Sequence, residues 1–284
     1  MLEDALMGTI RLSIPLLFAA YGGMLCERSG VANIALEGLL LFSAFAAAAA
    51  THLAGSTEFG IFAGLLTAGA VGWLFGAACI YGRADQIVIG TAFNLLAIGL
   101  IPVLCRALFN VTGSTPALAF DLRLTEPLHF ALLGIVVTIA YLFLFSRTRH
   151  GLRLVAAGEN PLALSTQGVS FKSVRLRAVV EGSIICGIGG VYMSLCQGSG
   201  YIRNMSAGRG FIALAALIFG AWRPVPTLFA CLFFGFTDFI QMHMQGSGLG
   251  LPNQFVQITP YVMTLVTLAL FSGRMRAPAA INQD

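Results

Sequence analysis

The side chains of this sequence that could do polar chemistry are few, and most interrupt apolar runs. Asn33 and Glu37 lie in "CERSGVANIALEGLLLF" (Cys26–Phe42); Asn94, Glu181 and Asp238 fall inside later apolar stretches. Gln197, Asn204 and Arg209 surround a second break, in "CQGSGYIRNMSAGRGFIALAALIF" (Cys196–Phe219). Amides and carboxylates are costly in such surroundings, so they pair or line wet cavities and commonly mark a path for ions or polar solutes. The chemistry on offer is therefore recognition and passage. Asn33, Glu37, Asn94, Asn204, Arg209 and Asp238 supply hydrogen-bonding groups, and Phe93 and Phe211 supply aromatic faces. Asp238 is placed to sit deep in its run, although Gln241 and His243 follow closely. For Glu37 three readings stand side by side: an ion pair with an arginine of a neighbouring helix, a protonated acid bonded to backbone, or a lining of the path. Asn33 or Ser29 is placed to cap the helix that carries Glu37, while Glu27 and Arg28 fall at a membrane rim where charge is tolerated.

Apolar helices must position these groups. A membrane-crossing helix needs about 20 mostly apolar residues, and candidate spans fall at 9–25, 31–53, 58–82, 87–108, 128–146, 179–198, 209–222, 225–245 and 255–272. The chain is 57% hydrophobic and only 10% charged, with a mean hydropathy of +0.86, against roughly 25% charged in a soluble domain. The expectation is an all-α polytopic membrane protein in contact with lipid. It forms one transmembrane domain over 1–284, with about eight to ten membrane helices, some broken. The 209–222 segment is too short to cross alone, so it crosses only with help from a broken neighbouring segment buried in protein. Gly60 and Gly64, and Gly72 and Gly76, have the four-residue spacing that lets helices approach closely.

Other chemistries find little support. The six cysteines form no C-x-x-C pair and read as small buried hydrophobes. The four histidines are scattered, so no metal site is expected. There is no P-loop, nucleophile elbow, kinase or dinucleotide fingerprint, so the chain is not expected to hold ATP or to be an enzyme. The net charge of +4 follows from basic residues at membrane edges and calls for no nucleic-acid partner. Glu3 and Asp4 precede the first apolar run, which argues against a cleavable signal peptide.

Basic residues set the expected direction of threading. The stretch from Ser146 to Ala178 carries Arg147, Arg149, Arg153, Lys172, Arg175 and Arg177 and is assigned to the cytoplasm, together with Arg83, Arg223, Arg274 and Arg276. Segments 109–127 and 246–253 then lie outside, the N-terminus outside and the C-terminus in the cytoplasm. Within this frame the chain repeats itself: Tyr21–Cys26 and Tyr192–Cys196 each precede a glycine-containing break and a second apolar run, 33–45 and 210–220. The two copies enter from opposite sides, which is the layout of an inverted repeat.

Within the cytoplasmic stretch, "HGLRLVAAGENPLALSTQGVS" (His150–Ser170) is too polar to span and too apolar for a disordered loop. Asn160 and Pro161 start a short helix there, and Gly168 ends it. Such an element suits a groove on a partner protein, or a resting place on the membrane.

The stretches "ERSGVANIALEGLLL" (27–41), "GRADQIVIGTAFNLLAIGL" (82–100), "GLRLVAAGENPLALSTQGVS" (151–170) and "NMSAGRGFIALAALIFGAWRP" (204–224) together carry a family likeness. The sequence resembles the permease subunits of bacterial ATP-binding-cassette importers in the branched-chain amino acid, simple-sugar and nucleoside group, and most of all the nucleoside-type members. That resemblance implies a type II importer fold in a bacterial inner membrane. It also implies three partners: a cytoplasmic ATPase, a second homologous permease giving a heterodimer, and an extracytoplasmic substrate-binding protein. The chain would hold no cofactor, with ATP used by the ATPase. Residues 147–177 would form the coupling loop, in which Gly158, Glu159, Asn160, Pro161, Ala163 and Gly168 match the family pattern and Gln167 departs from the usual small or aliphatic residue. The function implied is import of a nucleoside or simple sugar by alternating access. The alternative is an ATP-independent carrier or channel in which Glu37, Glu181 and Asp238 relay protons.

Overall fold

A computed structural model describes residues 2–246 and 278–279. The 255–272 span, most of the 246–253 segment and the basic tail lie outside the described residues. The elements are α1 (Leu2–Arg28), α2 (Leu36–Ala54), α3 (Thr57–Ile80), α4 (Gln86–Phe109), α5 (Pro127–Arg147), α6 (Arg149–Glu159), α7 (Pro161–Thr166), α8 (Phe171–Tyr192), α9 (Arg209–Phe219) and α10 (Pro224–Gly246). Among the described residues seven helices are long and apolar enough to cross a membrane, and α9 is a shorter apolar helix. The only β pairing among them is one isolated bridge between Ser114 and Ile202.

Local chemistry sets the helix ends. Asp85 accepts hydrogen bonds from the Ile87 and Val88 amides and starts α4, Ser56 starts α3 in the same way, and α2 stops at left-handed Gly55. Pro15 lies inside α1, where it has no N–H for the carbonyl one turn back, that of Arg11. The Tyr192 hydroxyl donates to that carbonyl at 3.2 Å, so a break that apolar surroundings would penalise is closed by another helix.

Burial separates inner from outer helices. The spanning windows of α1 and α2 are 83% and 78% buried, against 17% for α5. The outer helices α3, α4 and α5 present Phe62, Leu66, Leu95, Val103 and Phe143 outward. In water that surface would drive aggregation, whereas in lipid it carries no penalty. At the centre, α1 and α8 cross antiparallel. Gly22 meets Gly182 near one end of the contact, Pro15 meets Gly189, and Arg11 meets Tyr192 near the other. The buried tyrosine hydroxyls of this core are satisfied: that of Tyr21 lies 2.7 Å from the Thr138 hydroxyl and donates to the Pro224 carbonyl, and that of Tyr141 donates to the Tyr21 carbonyl. Five of the cysteines are buried and Cys196 is half-buried, all as free thiols, in keeping with the reading of them as small hydrophobes.

The bundle has two distinct ends. One carries α6, α7, the ends of α1 and α9, and the turn before α4. At the other, residues 115–124 hydrogen-bond through backbone groups and the Thr115 hydroxyl to the backbone of 195–201. The chain from Ser199 to Trp222 passes from this second end to the first, because Trp222 bonds to Glu27 and Arg28. As expected for so short a segment, α9 makes the crossing only together with the non-helical stretch before it. The α1–α2 and α8–α9 units run in opposite directions, the arrangement expected of an inverted repeat.

Candidate functional site

The break between α1 and α2 is held residue by residue. The Ser29 hydroxyl donates to the Cys26 carbonyl at 2.6 Å, and the Ala32 amide donates to the buried Gln86 side chain at 2.6 Å. Asn33 is fully buried, accepts from the Ala35 amide at 3.1 Å and reaches the Cys26 thiol at 3.3 Å. Neither Asn33 nor Ser29 caps α2: the N-cap position is Ala35, with no side-chain cap. The cap comes from another helix. Asn94 of α4 accepts from the Gly38 amide at 2.8 Å and donates to the Ile34 carbonyl at 2.9 Å. One planar amide thus satisfies an orphan donor in the first turn of α2 and a carbonyl of the break. Asn94→Leu is expected to leave both groups unpaired and to lower stability by about 1–3 kcal/mol. Thermal unfolding of the detergent-purified protein reads this, and a wild-type midpoint would show that Asn94 does not act as the cap.

Glu37 follows, 4% exposed, in the first turn of α2. Its carboxylate accepts from the Ser206 hydroxyl at 2.5 Å, the Gly208 amide at 2.8 Å and the Gly210 amide at 2.7 Å. Gly208 is the N-cap of α9 and has no side chain to cap with. Glu37 therefore closes the start of α9 from the start of α2. All three partners are donors, so of the readings open at the sequence level it is bonding to backbone, here through a carboxylate acceptor, that describes the geometry. Asn204, Ala207 and Gly208 all have positive φ, and they wind the chain before α9 tightly enough to aim its amides at one carboxylate.

The other candidates sit around this clamp. Arg209 is half-buried, donates to the Gln197 side chain at 2.9 Å and lies within electrostatic reach of half-buried Asp238. Asn204 is exposed and Phe211 is 48% exposed. Phe93 is half-buried, edge-on to Phe75 with ring centroids 6.1 Å apart. The structure thus gathers Asn33, Glu37 and Asn94 into one buried cluster and leaves Asn204 and Phe211 on the outside of the bundle. Near Gln197, at the end away from α7, a cavity of about 500 Å³ is lined by Arg11, Thr125, Tyr192, Gln197, Phe239 and His243.

Two features escaped the sequence reading. Ser206, a small polar residue in "NMSAGRG", is fully buried against Glu37. Glu27 is not at a tolerant rim: it is 7% exposed and accepts from the Trp222 indole at 2.6 Å, while Arg28 donates to the Trp222 carbonyl and stacks over Phe145. Glu181 meets His150 of α6 at 3.0 Å. Among the described residues no cluster could hold a metal ion.

The α7 segment has the predicted design. Asn160 caps it by accepting from the Ala163 amide at 3.2 Å, Pro161 is the first helical residue, and Gly168, at φ 75°, follows its end. Leu164 is buried, whereas Ala163 and Leu162 are exposed, Leu162 by 76%. Glu159 and Gly168 are exposed, and Gly158 is buried against the end of α1.

An apolar bundle of opposed broken helices, its buried polar groups paired except the Thr227 hydroxyl and its outside greasy, is a multi-pass membrane protein. Over residues 5–270 the sequence matches the family described as the permease component of branched-chain amino acid transport systems, and the chain belongs to that family. It is similar to the guanosine ABC transporter permease protein NupQ of Bacillus subtilis, with 34% identity covering 96% of this chain and 93% of that protein. It is also similar to the nucleoside ABC transporter permease protein NupC of Lactococcus lactis, with 32% identity covering 94% and 92%. A permease of Haloferax volcanii assigned provisionally to glucose, TsgC13, is 27% identical over 97% and 95%. No solved structure matches the chain. As an ABC importer permease it is a transport component and not itself an enzyme.

Proposed function

We propose that this chain is one membrane half of a nucleoside importer, paired with a second, homologous permease and driven by a separate cytoplasmic ATPase that consumes the ATP. A substrate-binding protein delivers the solute on the opposite side. The face carrying α6 and α7 is cytoplasmic, with the N-terminus outside and the C-terminus in the cytoplasm, in agreement with the grouping of Arg28, Arg149, Arg153 and Arg223 at that end. The names of NupQ and NupC support a nucleoside, and TsgC13 keeps a simple sugar as the second choice. The single observation that carries the reading is α7 itself: a short, capped helix with an apolar knob at exposed Leu162, packed on α6, whose last turn in turn lies on the end of α1. Such a helix offers a partner a preformed plug. Exposed Asn204 and Phe211, with Arg209 beside them, face the solute on a path between the two permeases. Glu37 holds the α9 start that borders this path, Asn33 and Asn94 hold the α2 start from which Glu37 reaches it, and Phe93 and Asp238 flank it. Alternating access then amounts to moving α9 relative to α2.

A Cβ built on Gly158 would overlap the Arg28 carbonyl oxygen, so Gly158→Asp must lift α6 from α1. Gly158→Asp and Pro161→Asp are each expected to cut co-purification of the ATPase at least about tenfold, roughly the loss of one well-packed anchor. Uptake of radiolabelled guanosine into proteoliposomes should require ATP and the ATPase. Uptake driven by an ion gradient with no ATPase would reject the importer reading in favour of a secondary carrier.

A further inference from the structure

Arg175 is the largest fully buried side chain among the described residues, on the first turns of α8. Its Nε donates to the Ser29 carbonyl at 3.1 Å and its Nη2 to the Ala157 carbonyl at 3.4 Å, while the guanidinium lies 5.3 Å from the centroid of the Phe171 ring. A burial this deep is costly for a cation, and it is supported here by carbonyls from two different elements and an aromatic face. Ser29 opens the break between α1 and α2, and Ala157 belongs to the last turn of α6. The two backbones also touch: a Cβ on Gly30 would come within 3.3 Å of the Gly158 Cα and 2.9 Å of Arg175 Nη2. From Ser29 onward the break has no slack, because Ala32 and Ala35 each donate to a side chain before Glu37 and its three partners, and Gly38 donates to Asn94 directly after it.

We propose that Arg175 is the positioning residue that carries displacement of α6–α7 into the break at Ser29, and so to the Glu37 clamp on α9. This rests on the importer reading and identifies how that importer is coupled. The planar guanidinium can hold two carbonyls in fixed relation, which a lysine ammonium on a flexible stem cannot. A displacement of α6 therefore moves the Ser29 carbonyl with it, whereas with lysine α6 moves while the break stays behind.

The test uses the assembled transporter, both permeases with ATPase and binding protein, in proteoliposomes, carrying Arg175→Lys or Arg175→Gln. ATP hydrolysis and uptake of radiolabelled guanosine, or of glucose if the wild type accumulates that instead, are measured on the same vesicles. With Arg175→Lys the complex is expected to assemble and to hydrolyse ATP within about twofold of wild type, while solute moved per ATP falls about tenfold, the range of a coupling residue. Arg175→Gln should show the same split or a deeper one. Unchanged solute per ATP in the lysine variant overturns the proposal, since the Gly30–Gly158 backbone contact would then suffice. Parallel loss of hydrolysis and uptake, or failure of the lysine variant to assemble, also overturns it, by making Arg175 a plain anchor. If the wild-type complex shows no ATP-dependent uptake, it is the importer reading that fails.

Discussion

Glu37→Ala is expected to destabilise the protein by about 3–5 kcal/mol and to abolish transport. The substitution strands three buried or half-buried donors at once: the Ser206 hydroxyl and the amides of Gly208 and Gly210. Water is not available to replace the carboxylate at a position 4% exposed, so the start of α9 must unwind or move to find acceptors. Glu37→Gln is the more informative variant. One side-chain oxygen is kept and can still serve two donors, but the amide NH2 then opposes a backbone N–H. Its thermal midpoint is expected to fall by less than that of the alanine variant, and uptake by more than about tenfold, because α9 loses one of its two amide anchors. Wild-type uptake in the glutamine variant would make Glu37 a structural cap with no part in gating.

Gly182→Val is expected to prevent the bundle from forming. A Cβ at Gly182 would overlap the Gly22 carbonyl oxygen, and a Cβ at Gly22 would overlap that of Gly182. Backbone lies against backbone there, so no side chain can swing aside. Separating α1 from α8 would also open the packing of Tyr21, Leu25, Val179 and Cys186, all essentially unexposed. Overpacking alone costs about 1–3 kcal/mol, and the lost interior contacts across two of the most buried helices add to that. The readout is the yield of monodisperse protein by fluorescence-detected size exclusion. Gly182→Ala should give an intermediate yield, and a normal profile for the valine variant would show that α1 and α8 are not locked at this crossing.

What the sequence discloses about this fold tracks how local the physics is. The α7 helix is legible to the residue, because Asn160, Pro161 and Gly168 act within one turn of where they stand. The shortness of the 209–222 run is equally plain, and with it the need for the preceding stretch to complete the crossing. Asn33 beside α2 suggests a cap on the same local logic, and there the logic fails. The cap is Asn94, 56 residues away, and only the packing of α4 against the break brings it in. Ser206 is 169 residues from Glu37, and Trp222 is 195 from Glu27. Arg175 is hidden for a different reason, since in "FKSVRLRA" it stands among basic residues that mark a membrane edge, and nothing in that run tells the buried one from Arg177, which is exposed. Local patterns fix where helices begin and end, whereas a polar residue's role depends on which distant donor arrives opposite it.

The convergence of α2 and α9 on one carboxylate has an electrical consequence. Each helix start carries the equivalent of roughly half a positive charge, and two of them together about one. Glu37 supplies the matching negative charge, and Arg209, the first residue of α9, is opposed by Asp238 within electrostatic reach, so the junction is close to neutral. A membrane potential does about 2.3 kcal/mol of work per 100 mV on each unit charge that it moves. On a neutral junction it does almost none, so the alternating-access movement proposed for α9 relative to α2 would draw on what docks at the ends of the bundle and not on the voltage across it.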